Sequence, residues 1–280
     1  MIPFAAVEPR AAVVVRPPGR WPELALTELW AYRELFWFLV WRDVKVRYRQ
    51  TLLGVTWVAL QPLMTMAVFA VVLGRLVGVP TDGIPYPLFA YTGLLPWMFF
   101  SSAVSTGALC LVGHSDLITK VYFPRILLPA ATVAARLVDF AVGSLGLFAL
   151  LMIYRVPVTT EFAFIPVALF VELVMAIGVA ALFSSLNVRY RDVGFVVPVL
   201  LQLGMFVTPV VYRWTLVPPR WRWLIMANPM TGIVETYRSA LLGYELPWKP
   251  FGVSVVIAVA VLLAALFEIR RSEGALADIV

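Results

Sequence analysis

Six stretches of this chain, at about 55–77, 86–112, 126–153, 162–186, 193–212 and 250–268, run for roughly 20 residues or more almost without charge. A helix rising ~1.5 Å per residue needs about that length to cross the hydrocarbon of a bilayer, and inside it every backbone N–H and C=O must find its partner within the protein. The composition agrees: 62% of residues are hydrophobic and 14% charged, against about 45–50% and about 25% in ordinary soluble domains. The chain therefore reads as an all-α polytopic membrane protein with six transmembrane helices. An even number of spans puts both termini on one side, and no internal repeat of the kind found in many secondary transporters is visible.

Charge sets the orientation. With the N-terminus inside, the interior segments hold 14 of the 22 lysines and arginines, including Arg42, Lys45, Arg47, Arg49, Lys120, Arg125, Arg189 and Arg191. The positive-inside rule then predicts cytoplasmic termini. The net charge of +6 is spent beside apolar stretches, which points to anionic lipid headgroups and not to nucleic acid.

The segments outside the spans differ in character. Residues 1–23 contain five prolines and no apolar run long enough for a signal-peptide core, so a flexible cytoplasmic tail is expected. Residues 24–50 combine Trp30, Trp37 and Trp41 with the basic block WRDVKVRYR, the pattern of an amphipathic helix at the membrane interface. Between Arg213 and Lys249, apolar pieces too short to span are separated by Pro218, Pro219, Pro229 and Pro247, which suggests two short helices dipping back into the outer leaflet. Residues 269–280 form a second cytoplasmic tail.

The inventory of reactive groups is sparse. One histidine, His114, and one cysteine, Cys110, exclude a histidine dyad, an HExxH zinc site and a disulfide within the chain. Paired carboxylates remain open to an enzyme only through Asp139 and Glu172. With Arg136, which stands one turn from Asp139, these are the charges at membrane depth, and such residues are expensive there and functional by default. They read either as an ion-paired pin between helices or as the wall of a polar path. There is no GxxxxGK[ST] phosphate loop, so any ATP-driven work requires a partner.

Two further patterns stay open on their residues alone. In HSDLITKVYFPR (114–125), Ser115 can cap a short helix ending before Pro124, with Leu117, Ile118 and Val121 on one side and Asp116 and Lys120 on the other. It is either an interfacial loop or a helix that docks into a soluble partner. Phe69, Trp97, Phe99, Phe206 and Tyr212 are either part of an interfacial aromatic belt or a lining on which sugar rings slide.

The run WRDVKVRYRQTLLGVTWVALQPL, followed in order by KVYFPRILLP (120–129), NVRYRDV (187–193) and NPMTGIVETYRSALLG (228–243), resembles the motifs of ABC-transporter permeases that export polysaccharides and polyol phosphates. The likeness covers about residues 30–268. It implies a type-2 ABC exporter permease of the bacterial inner membrane that pairs as a homodimer and binds two copies of a separate ATPase subunit. ATP and Mg²⁺ would be held by that partner, with no cofactor in this chain. Residues 24–50 would lie along the inner leaflet, with Arg42, Lys45, Arg47 and Arg49 meeting the substrate headgroup. Residues 114–123 would be the coupling helix, where His114, Ser115, Asp116, Leu117, Lys120, Phe123 and Arg125 engage the ATPase. Residues 216–245 would be re-entrant helices carrying Glu235 and Arg238 at an outer gate. Spans 1 and 5 would line the path between protomers. The implied cargo is a lipid-linked glycan such as an undecaprenyl-diphosphate-linked O-antigen; capsule, teichoic acid, or a small hydrophobic drug or lipid are the alternatives.

Overall fold

Every regular element among the described residues is helical, as the hydrogen-bonding demands of hydrocarbon require. The computed structural model describes residues 30–49 and 56–279; the expected N-terminal tail, the start of the interface helix and the junction at 50–55 lie outside the described residues. In order come α1 (Arg33–Tyr48) and α2 (Thr56–Phe69), the latter prolonged by a π-helical stretch, Ala70–Val77. Next are α3 (Tyr86–Gly107), the short helices α4 (Cys110–Gly113) and α5 (Ser115–Lys120), and then α6 (Leu127–Ala135) and α7 (Leu137–Ile153). A 3-10 turn at Thr160–Phe164 leads into α8 (Ile165–Arg189), followed by α9 (Val193–Val207). Two 3-10 turns, Trp214–Leu216 and Pro219–Trp221, precede α10 (Arg222–Ala227), α11 (Pro229–Leu242) and α12 (Trp248–Ile279).

Among the described residues, five continuous stretches are long and apolar enough to cross a membrane: Thr56–Val77, Tyr86–Gly107, Leu127–Ile153, Thr160–Arg189 and Trp248–Arg271. The fifth expected span, 193–212, is shorter than the sequence suggests. Its helix stops at Val207 after 15 residues, about 22 Å of rise. Thr208 turns into extended backbone, Pro209 carries no N–H to continue the ladder, and the carbonyls beyond are captured by another helix, as described below. The last helix runs past its apolar stretch, which ends at Arg271, and continues to Ile279 through the residues expected to form a tail.

One helix sits in the middle, and small residues let others pack closely. Lipid tails are as apolar as leucine, so helices in a bilayer associate through close packing and hydrogen bonds instead of through exclusion of water. The apolar window of α3 is 78% buried, against 6% for Thr56–Val77. The core built on α3 includes Phe89, Tyr91, Leu94 and Val104, with α8, α11 and α12 packed around it. On the far side of that core, a Cβ on Gly178 would lie 2.9 Å from the Leu262 backbone nitrogen, so α8 and α12 approach almost backbone to backbone. By contrast, α2 and α9 present exposed rows, such as Met64, Val68 and Leu76 on one and Phe195, Leu203 and Phe206 on the other.

The helix α1 departs from a simple amphipathic design. Tyr32, Leu35, Phe36, Leu39, Val40 and Val44 form its packing face against a cluster that includes Leu127, Leu128 and Phe123. The opposite face is also largely apolar, with Trp37, Phe38, Trp41 and Val46 exposed. One side thus suits protein and the other suits the headgroup region, where indole rings favour a half-apolar setting. Charge is gathered at the C-terminal end, from Arg42 to Arg49.

Candidate functional site

A cleft of about 410 Å³ opens between α2, α3, α7 and α9. Its walls combine ring faces with neutral polar groups. Trp57, Trp97, Phe99 and Phe140 supply the rings; Gln61, Ser101, Ser102, Ser105 and Gln202 supply amides and hydroxyls. The Ser101 and Ser102 hydroxyls donate to carbonyls one turn back, at 3.3 and 3.1 Å, which leaves their acceptor capacity unused by these bonds. Aromatic faces beside hydroxyl and amide groups suit a ligand with apolar C–H faces and many OH groups.

One end of the cleft is charged. Asp139 on α7 accepts from Arg47 at 2.8 Å and from Arg136 at 3.5 Å, and the Tyr48 hydroxyl donates to its other oxygen. Arg136 also donates to Thr106 Oγ1 at 3.2 Å. Burial, and then the adjoining Asp139 carboxylate, push the Tyr48 phenol up to about 12, so it remains a donor at neutral pH. The end of α1 is therefore pinned to the middle of the third apolar stretch. Glu172 does not join this cluster, contrary to the grouping expected from depth alone. It is fully buried on α8, beside Tyr237 of α11 but out of hydrogen-bonding geometry. Similar depth along two helices says nothing about which faces meet.

Arg42 and Lys45 of α1 have local partners. Arg42 pairs with Asp43 at 2.9 Å and also reaches Nε2 of His114. The His114 ring donates from Nδ1 to the Cys110 carbonyl at 2.7 Å, leaving Nε2 to accept from Arg42. Asp43 in turn accepts from Thr132 at 3.4 Å. Lys45 lies 5.3 Å from the Trp41 ring centre, and Arg49 is exposed just past the helix end.

The stretch 114–123 is helical only over Ser115–Lys120. His114, and not Ser115, occupies the N-cap position, and no side chain caps the helix; the chain arrives directly from α4 with His114 already engaged by α1. Asp116 and Lys120 are exposed, while Leu117 and Ile118 pack inward. Val121 falls beyond the helix, extended and exposed, so it does not share their face. Phe123 is buried against α1 and serves as an anchor, and Arg125 is half-buried beside it in sequence.

Glu235 and Arg238 lie inside the protein, away from the cleft. Arg238 is fully buried. It donates to Glu235 at 2.6 Å, to the Val210 carbonyl at 2.6 Å, and to the carbonyls of Pro209 and Tyr212 at 3.0 and 3.4 Å. Its guanidinium lies 4.0 Å from the Phe89 ring centre. Gly93 makes the approach possible, since a Cβ there would meet the Val210 carbonyl and Arg238 Nη2. These two charges hold the turn that ends α9. Asn228 adds a second tie: it caps α11 by accepting from Met230 N at 3.0 Å and donates to Thr208 at 2.8 Å.

Of the five aromatics expected along a path, Trp97 and Phe99 border the cleft. Phe69 packs on the core, Phe206 is exposed, and Tyr212 donates to the carbonyls of Phe206 and Val207. Missed from sequence were Trp57, Phe140, the serines of α3, and Gln61 and Gln202. The two glutamines carried a signal, being polar residues inside apolar spans.

These features define a multi-pass membrane protein, all-helical among the described residues, with a cleft of mixed aromatic, aliphatic and polar lining between apolar helices. The chain belongs to the ABC-2 type transporter family, whose profile matches residues 34–242. It is 34% identical over 254 residues to an O-antigen export system permease protein of Myxococcus xanthus, a match covering 89% of this chain and 96% of that protein. It is 26% identical over 209 residues to an O-antigen export permease of Klebsiella pneumoniae, covering 73% and 80%. A polysialic acid transport protein of Escherichia coli is 24% identical over 212 residues, covering 72% and 80%.

Proposed function

We propose that this chain is the transmembrane subunit of an ATP-driven exporter that moves a lipid-linked polysaccharide from the cytoplasmic to the outer side of the bacterial inner membrane. An undecaprenyl-diphosphate-linked O-antigen is the cargo that fits best. The observation that carries the reading is the cleft: rings and neutral hydroxyls along its wall, and a cationic end formed by Arg47. A glycan needs the first and a diphosphate headgroup the second. Two copies of the chain would face each other across α2 and α9, whose apolar rows cover little of themselves within one protomer. Two ATPase subunits, binding ATP and Mg²⁺, would dock at Ser115–Lys120, where Asp116 and Lys120 are exposed. The short helices α10 and α11 would re-enter the outer leaflet, and both termini would be cytoplasmic.

The test is deletion of the coding sequence in its own host, with surface glycan read by gel ladder and by antibody on intact cells. Loss of surface glycan with accumulation of the lipid-linked form inside supports the assignment. Unchanged surface glycan, or ATP hydrolysis by the purified chain without any partner, overturns it.

A further inference from the structure

At the charged end of the cleft two guanidinium groups, Arg47 and, behind it, Arg136, meet one carboxylate, Asp139, which among the described residues leaves one positive charge uncompensated. The remainder of the cleft wall is uncharged. The three residues are not equivalent. The Arg47 side chain is 39% exposed, whereas those of Asp139 and Arg136 are 11% and 13% exposed. Arg47 and Asp139 border the cleft, and Arg136 does not, being held from behind by Thr106.

Withdrawing one member of a buried ion pair is unfavourable mainly because the other charge is stranded. Here Asp139 is not stranded when Arg47 leaves, since Arg136 and the Tyr48 hydroxyl still serve it. Arg47 is also the cation with freedom to move, lying at the end of α1 and half in the open. Its planar fork matches a phosphate group as well as it matches a carboxylate.

We infer that the Arg47–Asp139 pair is an exchangeable lock on an anion site: a phosphate group carried by an amphiphile takes Arg47 from Asp139, and Asp139 falls back on Arg136 and Tyr48. Asp139 is then a positioning residue that competes with the ligand. This rests on the export reading for the identity of the ligand, whose diphosphate would be the incoming anion; a phospholipid headgroup offers the same chemistry.

The experiment is native mass spectrometry of the purified full chain in detergent, titrated with farnesyl diphosphate, with farnesol, and with phosphatidylglycerol. Farnesyl diphosphate is expected to bind and farnesol not. Removing the competing carboxylate with Asp139→Asn should tighten binding by roughly tenfold, the scale of one charge-assisted hydrogen bond. Arg136→Gln should weaken it by a similar factor, although that residue does not touch the cleft, because Asp139 then depends on Arg47. Arg47→Gln should abolish it. A merely structural Asp139 would give weaker or unchanged binding in Asp139→Asn, and that result, with Arg47→Gln still inactive, overturns the exchange while leaving the headgroup site in place. If Asp139→Asn fails to fold, Arg136→Gln decides, and unchanged or tighter binding there refutes the lock. Absence of diphosphate binding by the unmodified chain overturns both readings. Displacement of farnesyl diphosphate by phosphatidylglycerol, with the same order of variants, supports the lock and assigns its occupant to the bilayer.

Discussion

Arg238→Met is the perturbation whose cost follows most directly from the structure. The guanidinium is fully buried and serves Glu235 and three backbone carbonyls, those of Pro209, Val210 and Tyr212. Methionine fills much of the same volume but donates nothing, so the variant strands a buried carboxylate. Breaking a buried ion pair by removing one partner costs about 3–5 kcal/mol. At ~2–4 °C per kcal/mol, the scale for soluble domains of somewhat smaller size, thermal unfolding in detergent should come on the order of 10 °C earlier. Thermostability can be read by size-exclusion chromatography after a temperature ramp. The double variant Glu235→Leu with Arg238→Met removes the stranded charge and should recover a good part of the loss, leaving only the unserved carbonyls. Gly93→Ala should resemble a weaker Arg238→Met, because its Cβ would meet Arg238 Nη2 and the Val210 carbonyl. A double variant less stable than the single one, or a loss under about 1 kcal/mol for Arg238→Met, would show that the pair is not what holds the turn after α9.

Three further outcomes are expected. Trp57 is 53% exposed at the cleft, so Trp57→Ala should leave stability within about 1 kcal/mol and lower glycan export several-fold, measured as surface glycan per unit of permease. Arg42→Gln and His114→Ala each break the link between α1 and the start of α5; a double-mutant cycle on stability should show a coupling of about 1 kcal/mol, and export should fall while the assembled complex still hydrolyses ATP. Asn228→Ala removes both the cap of α11 and its tie to Thr208 and should cost about 1–2 kcal/mol in the same thermal assay.

Much of the architecture was legible because a bilayer imposes its constraint on one helix at a time. An apolar run such as 86–112 or 250–268 announces a span whatever its neighbours are, and the motifs at 41–63 and 228–243 identify the family on residues alone. The boundaries of α11, which the reading of 216–245 as two re-entrant helices did not place, are also set locally, by Asn228 as cap, Pro229 in the first turn and the left-handed Gly243 as stop. The truncation of α9 was legible only in part, through Pro209. The capture of the carbonyls beyond it was not, because Arg238 lies 28 residues from Val210 and meets it through the packing of α11 against α3.

The charged residues show the same division. Their presence at membrane depth, and the expense of keeping them there, could be read from Arg136, Asp139 and Glu172 in sequence. Their pairing could not, because two helices of known depth still have unknown rotation about their axes. The tertiary structure turned Asp139 toward Arg47 and toward Tyr48, 91 residues away in sequence, and turned Glu172 toward Tyr237. By itself the sequence settled the class of fold, the family and the placement of most apolar segments, since each follows from the local requirement to satisfy backbone groups in hydrocarbon. Only the tertiary structure decided that α3 is central, that Arg238 closes a turn, and that Trp57, Trp97 and the α3 serines share one cleft. Those outcomes depend on which helix faces meet, and close approach at positions such as Gly93 and Gly178 determines that.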